Sequence, residues 1–406
     1  MIPAQKAKKQ IETSPEFEKA ACIAGHYGFI ALPAVEVEKA DITAAKKFDE
    51  SKLAALHPWT DNKERFSGYL EEKIAIIRNF GEKKWVSLGM PLLAYYEGPM
   101  KGNPHLRRAA ETRTFHLEII GGAKPIAEAM AIETAYIILK DRYPDEELMI
   151  EINSIGDKDS MARFARELGN YVRKEIGKLP ASLKQAIKKD PFSLFTIEDE
   201  KCKEFVDAAP KPMNFLSEPS RTHFSEVLDY LESLKLPYEI NPKLLGNRSY
   251  CTDTIFEIRG KKDVLAIGER YNGVAKKIWG KKDMPALGIA ILMHPHFVMK
   301  NAVSKSKMPK EVKPKFYFIQ FGDTAKKRCL NIIEDMRKAA IPVHQSLSKD
   351  KLSIQLASAE NMKIPYIIMM GQKEAMEECV VVRNMTTRVQ ETVELHMLVP
   401  HLRRLK

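Results

Sequence analysis

The sequence predicts an α+β chain: a large, mostly antiparallel sheet flanked by helices over the first three quarters, followed by a smaller α/β domain. Three observations carry that expectation. At 406 residues the chain is too long for one ordinary core, and two or three domains are expected. The stretch from Val303 to Lys315 (VSKSKMPKEVKPK) has no apolar periodicity, and its prolines and solvated lysines make it read as a connector. Strands and helices alternate singly after that connector but not before it, which separates an α/β unit from an α+β one.

In chain order, residues 1–13 are basic, have no apolar segment behind them and read as a flexible N-terminus. A helix over about Glu16 to His26 runs into GFIALPAVEVE, a strand interrupted by Pro33. Apolar and β-branched runs predict strands at Leu92–Tyr96, Thr114–Ile120, Leu148–Ile152, Thr254–Ile258 and Val264–Gly268. Helices are predicted at Ile126–Arg142 and Ser160–Ile176. Residues from about 179 to 236, rich in Lys, Glu and Pro, read as a helical insertion. The core domain then covers 14–303 and the linker 304–315. Residues 316–406 form the last domain, opening with the strand FYFIQ (Phe316–Gln320). Gly322 and Asp323 start a helix that sets Cys329, Ile332, Ile333 and Met336 on one face. A strand at Ile341–Val343, a helix at Lys351–Met362, strands at Tyr366–Met370 and Val380–Val382, and a last helix at Gln390–Leu402 complete a largely parallel sheet.

A net charge of +11 favours a polyanionic partner, because Lys and Arg gain affinity by displacing counterions from phosphates. The five cysteines are odd in number and scattered, with neither CxxC pairs nor Cys/His clusters, so neither a disulfide framework nor a metal site is expected. No apolar run approaches the length that spans a bilayer, so a cytoplasmic protein without a membrane partner is expected.

Several stretches, in order, resemble the histidyl-tRNA synthetase family of class II aminoacyl-tRNA synthetases. HYGFIALPAVE (His26–Glu36) is similar to the first class II motif, which builds the dimer interface around a proline, here Pro33. YYEGPM (Tyr95–Met100) and RTFH (Arg113–His116) frame the second motif. EINSIGD (Glu151–Asp157) and Asp190–Pro210 resemble segments after the catalytic half and in the family's insertion. SYCTDTIFEI (Ser249–Ile258) and GERYNGV (Gly268–Val274) are similar to its two histidine-type signatures. SLSKDKLSIQLASAENMKIPYIIMMGQKE and VVVRNMTTRVQETV resemble its anticodon-binding domain. The resemblance covers nearly the whole chain from about residue 14. It implies a class II synthetase-like antiparallel sheet with a helical insertion, a C-terminal anticodon-binding-type α/β domain, a homodimer and a tRNA partner.

The departures lie where the family keeps its chemistry. The second motif's arginine and glutamate fall at Gly102 or Asn103 and Pro104 or His105. The third motif's Glu-Arg falls at Ala290 and Ile291, which read as core packing in a strand–helix junction. The arginine before the first signature falls at Gly246, and the glutamate that receives the substrate's amino group at about Gly121. Adenylation develops charge on phosphorus, and losing one preorganised cation typically costs ~10²–10³ in rate. Arg107, Arg108, Arg113 and Arg248 are possible substitutes. Glu71 (in YLEEK), Tyr250, Thr252, Arg270 and Tyr271 keep their places as a residual substrate pocket. Lys326, Lys327, Arg328, Lys351, Arg383 and Arg388 form the basic face expected to meet RNA.

Three readings follow. The first is a synthetase-like protein that binds tRNA or a tRNA-like RNA with aminoacylation impaired or lost. The second is a divergent active histidine–tRNA ligase, for which alone ATP and Mg would be cofactors. The third, a regulatory synthetase-like subunit of histidine biosynthesis, ranks last because that class usually lacks the C-terminal domain present here.

Overall fold

The computed structural model describes residues 15–32, 35–48, 70–81, 90–102, 113–197, 199–261, 263–279, 284–294, 314–346 and 351–405. The basic N-terminus, Pro33, most of the linker, and Arg107 and Arg108 lie outside them.

Eight strands form the larger sheet: β1 (Ile30–Ala31), β2 (Leu92–Gly98), β3 (Arg113–Ile120), β4 (Met149–Ser154), β5 (Tyr238–Ile240), β6 (Thr252–Arg259), β7 (Val264–Arg270) and β8 (Ala286–His294). Their order is β1-β2-β3-β8-β7-β6-β4-β5. Every pairing is antiparallel except those of the edge strands β1 and β5. The mostly antiparallel expectation therefore holds. Two details of it do not. Only Ile30–Ala31 of GFIALPAVEVE is a strand among the described residues. ALGIAIL is no strand–helix junction but the central strand β8, bonded to β3 on one side and β7 on the other. A strand buried on both faces loses the apolar–polar alternation that marks a strand in sequence.

Helices cover both faces: α1 (Pro15–His26), α2 (Lys39–Ala45), α3 (Leu70–Gly81), α4 (Ile126–Arg142), α5 (Lys158–Glu175), α6 (Ala181–Lys189), α7 (Lys203–Asp207), α8 (Glu218–Ser233) and α9 (Asn272–Trp279). On one face α1, α4 and α8 bury Phe17, Ile132 and Val227 against Phe115, Leu117 and Ile119 of β3. On the other, α3, α5 and the insertion pack Ile74, Phe164 and Phe192 with Ala94 and Ile255. The insertion is clasped to the core by Arg248. Its guanidinium meets Asp190 at 2.6 and 3.1 Å and stacks 3.9 Å over the Phe192 ring. Charge-assisted bonds and a desolvated cation–π contact are each worth about 1–2 kcal/mol. Arg248→Ala should accordingly lower stability by about 2 kcal/mol in urea unfolding and speed proteolysis within 181–215; an unchanged midpoint would contradict the clasp.

The smaller sheet holds β9 (Phe316–Gln320), β10 (Val343–Gln345), β11 (Tyr366–Met370), β12 (Cys379–Asn384) and β13 (Gln390–Glu394), ordered β10-β9-β11-β12-β13. Its helices are α10 (Asp323–Lys338), α11 (Leu352–Asn361), α12 (Gln372–Met376) and α13 (Leu395–Arg404). Pairing is parallel from β10 through β11 and antiparallel from β11 through β13, so the sheet is evenly mixed, not largely parallel. The expected last helix over Gln390–Leu402 divides. Gln390–Glu394 joins β12 as an edge strand with Val393 inward, and helix begins only at Leu395.

α10 lies against the larger unit. Tyr27 Oη donates to Glu334 at 2.7 Å, the His26 ring meets the Ile333 carbonyl at 3.0 Å, and Gln345 Nε2 donates to the Tyr27 carbonyl at 2.7 Å. Lys327 pairs with Asp229 of α8 at 2.6 Å. A single apolar cluster continues from α1 and α4 through Cys329 and Ile333 of α10 to Phe316 and Phe318 of β9.

Candidate functional site

In β3 the odd-numbered Phe115, Leu117 and Ile119 face α1 and α4, so Thr114, His116 and Glu118 face the other way. All three polar residues are nonetheless buried. β7 sends Glu269 to the same side, and α3 lays Glu72 and Lys73 over it. Tyr96 of β2, and Tyr250, Cys251 and Tyr271 flanking β6 and β7, close the ring of polar groups. Gly288 of β8 makes room for this set: a Cβ there would lie 2.7 Å from a Glu118 carboxylate oxygen.

Each carboxylate is held by neighbours from within the chain. Glu269 bonds Lys73 Nζ and accepts from Tyr250 Oη at 3.0 Å and Cys251 Sγ at 2.9 Å. Glu118 accepts from Tyr271 Oη at 2.6 Å. Glu72 accepts from Tyr96 Oη at 3.1 Å and from the Met100 amide at 2.7 Å. Lys73 Nζ also lies 4.8 Å from the Tyr271 ring centroid and 5.4 Å from that of Tyr250. His116 stacks on Tyr96 at 4.4 Å and meets Thr114 Oγ1 at 2.7 Å. The crevice between Lys73, His116, Glu118, Glu269, Gly288 and Ala290 is too narrow to admit a water molecule.

Burial sets the protonation states. It pushes Glu118 up to about 8, against the pull of Lys73 and Tyr271, so this carboxyl carries a proton at neutral pH. Burial and then the Lys73 charge push His116 down to about 3, leaving the ring neutral. Burial alone would lower the Lys73 ammonium, but Glu269, Cys251 and Glu118 outweigh it and the group is raised. The net environment is acidic: three carboxyl groups face a single ammonium.

Of the expected pocket residues, Tyr250 and Tyr271 do meet in this crevice. Glu71 is only half-buried, and its neighbour Glu72 is the one turned inward. Thr252 opens β6 opposite Arg270, and its buried hydroxyl has no hydrogen-bond partner among the described residues. Arg270 points to the opposite face, as its place next to Glu269 in a strand requires. There its Nε meets Glu128 at 2.7 Å and its Nη1 donates to the Gly122 carbonyl at 2.9 Å. Ile291 likewise joins the α4 side, and only Ala290 lines the crevice. Gly121 sits at φ +85°, a backbone conformation that any residue with a side chain would adopt only under strain.

Of the four possible substitute cations, Arg248 alone has a described side chain. Arg248 is committed to Asp190. Arg113 opens β3 opposite His294, and Arg107 and Arg108 lie outside the described residues. Among the described residues, the crevice's one cation is Lys73, which is paired with Glu269. No three His, Cys, Asp or Glu side chains converge on a metal position among the described residues.

The basic face also needs correction. Lys326 is buried, Lys327 is paired with Asp229 of the larger unit, and Arg328 pairs within its own domain with Glu378 at 3.0 Å. Lys351 and Arg388 are exposed and Arg383 is half-buried. Glu72, Lys73, Tyr96, His116, Glu118 and Glu269 were missed by sequence reasoning. Their signal was polar residues at alternate places in a strand (TFHLE) and charges opening an apolar helix (LEEKIAII).

Comparison with known proteins bears on the same residues. An anticodon binding domain model matches residues 315–405. A histidine–tRNA ligase of Fervidobacterium nodosum is 29% identical over 389 residues, covering 92% of this chain and 89% of that protein. One from Halothermothrix orenii is 28% identical over 341 residues, covering 82% of this chain and 81% of its own. These likenesses support the histidyl-tRNA synthetase family. A solved structure, apo histidyl-tRNA synthetase of S. aureus, aligns over 99% of both chains at 21% identity with a TM-score of 0.48. No described helix is long and apolar enough to cross a membrane.

Proposed function

We propose that this member of the histidyl-tRNA synthetase family binds tRNA, or an RNA shaped like it, without activating histidine. The observation that carries the reading is the closed, acidic crevice. With too little space for a water molecule among its lining side chains, Lys73 committed to Glu269, and carboxyl groups facing inward, it offers no available cation for a nucleotide's phosphates. RNA binding is supported by the match of residues 315–405 to an anticodon binding domain, the +11 net charge, and the solvent-facing Lys351 and Arg388, with Arg383 beside them. Arg403 and Arg404 at the end of α13 are exposed as well. A cytoplasmic homodimer is part of this proposal.

A second reading, an active histidine–tRNA ligase, is favoured by the names of relatives that cover most of the chain. Histidine-dependent ATP–pyrophosphate exchange, paired with a tRNA gel shift, separates the two. The expected result is no exchange and a salt-sensitive shift, with Lys351→Ala and Arg388→Ala each lowering the salt slope by about 1. Clear exchange would establish the second reading.

A further inference from the structure

We infer that Lys73 is a resident ligand: the crevice is a binding site for a small primary ammonium ion, and the chain's own lysine side chain already occupies it. The inference rests on the closed crevice described above and adds what closes it. Burying an ammonium requires a carboxylate partner, and one would suffice to balance the charge. Lys73, whose side chain is 3% exposed, has far more. Glu269 accepts from it, while Tyr250 Oη and Cys251 Sγ hold that carboxylate in place at 3.0 and 2.9 Å. The rings of Tyr250 and Tyr271 stand 5.4 and 4.8 Å from the nitrogen, and Tyr271 is itself anchored to Glu118 at 2.6 Å. Aromatic faces around a cation, backed by an oriented carboxylate, form a recognition site for an organic ammonium. These walls come from β3, β7, the residue after β7 and the loop before β6, whereas the cation comes from α3, 196 residues before Glu269.

Truncating Lys73 to Ala deletes three carbons and the nitrogen, which together amount to n-propylammonium. The melting midpoint of Lys73→Ala should rise by several degrees as propylammonium chloride increases from about 1 to about 100 mM at constant ionic strength. Neither 1-propanol nor sodium should reproduce the rise, and the wild-type chain should not respond. Lys73→Met, whose longer apolar side chain still fills the volume, should also be unresponsive. If Lys73→Ala does not fold alone, its refolding yield with propylammonium against sodium tests the same point: recovery with propylammonium only supports the assignment, and equal yields overturn it. A midpoint that ignores propylammonium, or a wild-type midpoint that rises equally, also overturns it. Histidine-dependent exchange by the wild-type chain would instead refute the proposed function, so the two failures are distinguishable.

Discussion

Arg270→Ala should cost about 3–5 kcal/mol of folding stability, because it strands the Glu128 carboxylate inside the larger unit. Glu128 is fully buried, and Arg270 is 1% exposed. The guanidinium reaches it through Nε at 2.7 Å and brings Nη2 within 2.6 Å of the second oxygen, although that contact is poorly aligned for a hydrogen bond. Against the cost of burial, Arg270 and then His223 hold the Glu128 carboxyl down at about 2. A depressed carboxyl contributes stability above its ordinary value near 4.5 and loses it as pH falls toward 2. The variant's deficit should therefore be largest at neutral pH and shrink in acid, where Glu128 can take a proton. Adding Glu128→Gln should recover part of the loss. Urea unfolding at two pH values measures all of this, and a deficit below about 1 kcal/mol at pH 7 would contradict the account.

The second large effect runs the other way in pH. Glu118 and Glu133 are each pushed up to about 8, by burial first, with neighbouring carboxylates adding to it. A group whose folded value lies above its unfolded one keeps a proton in the folded chain that the unfolded chain has released. Its contribution is complete below about pH 4.5 and is lost as pH rises through about 8. A shift of this size corresponds to something on the order of 4 kcal/mol per group. The protein should therefore lose stability steadily between about pH 5 and about pH 9. Glu118→Gln, a neutral stand-in able to accept from Tyr271, should remove roughly half of that slope. Glu133→Gln should relieve the rest, at the junction where burial and Glu334 of α10 act on it. A wild-type profile that is flat or rises over this range would defeat the assignment.

Much of the fold was legible in the residues. The helix Ile126–Arg142 and the strands Phe316–Gln320 and Tyr366–Met370 stand at their expected bounds, because long periodic or compact β-branched runs admit one reading. β8 was hidden by burial on both faces. β13 was hidden because only Val393 of its five residues turns inward, leaving nothing to distinguish it from the start of α13. The site divided in the same way. Motif positions pointed to Tyr250 and Tyr271, which the fold brings to one crevice. The residues that close the crevice could not be assembled from sequence, since the pairing of Lys73 with Glu269 depends on how α3 settles over a sheet formed much later in the chain. The basic cluster on α10 misled for a complementary reason. Lysines counted as a surface in sequence are half committed to holding that helix down.

That docking has a consequence for inheritance. Tyr27, Gln345 and Glu334 share their partners across the boundary, and the apolar cluster runs unbroken beneath them. Neither piece is portable in its present form. A gene that borrowed the C-terminal segment alone would acquire a raw flank along α10, and it would have to be repainted with polar residues before the borrowed piece could live by itself.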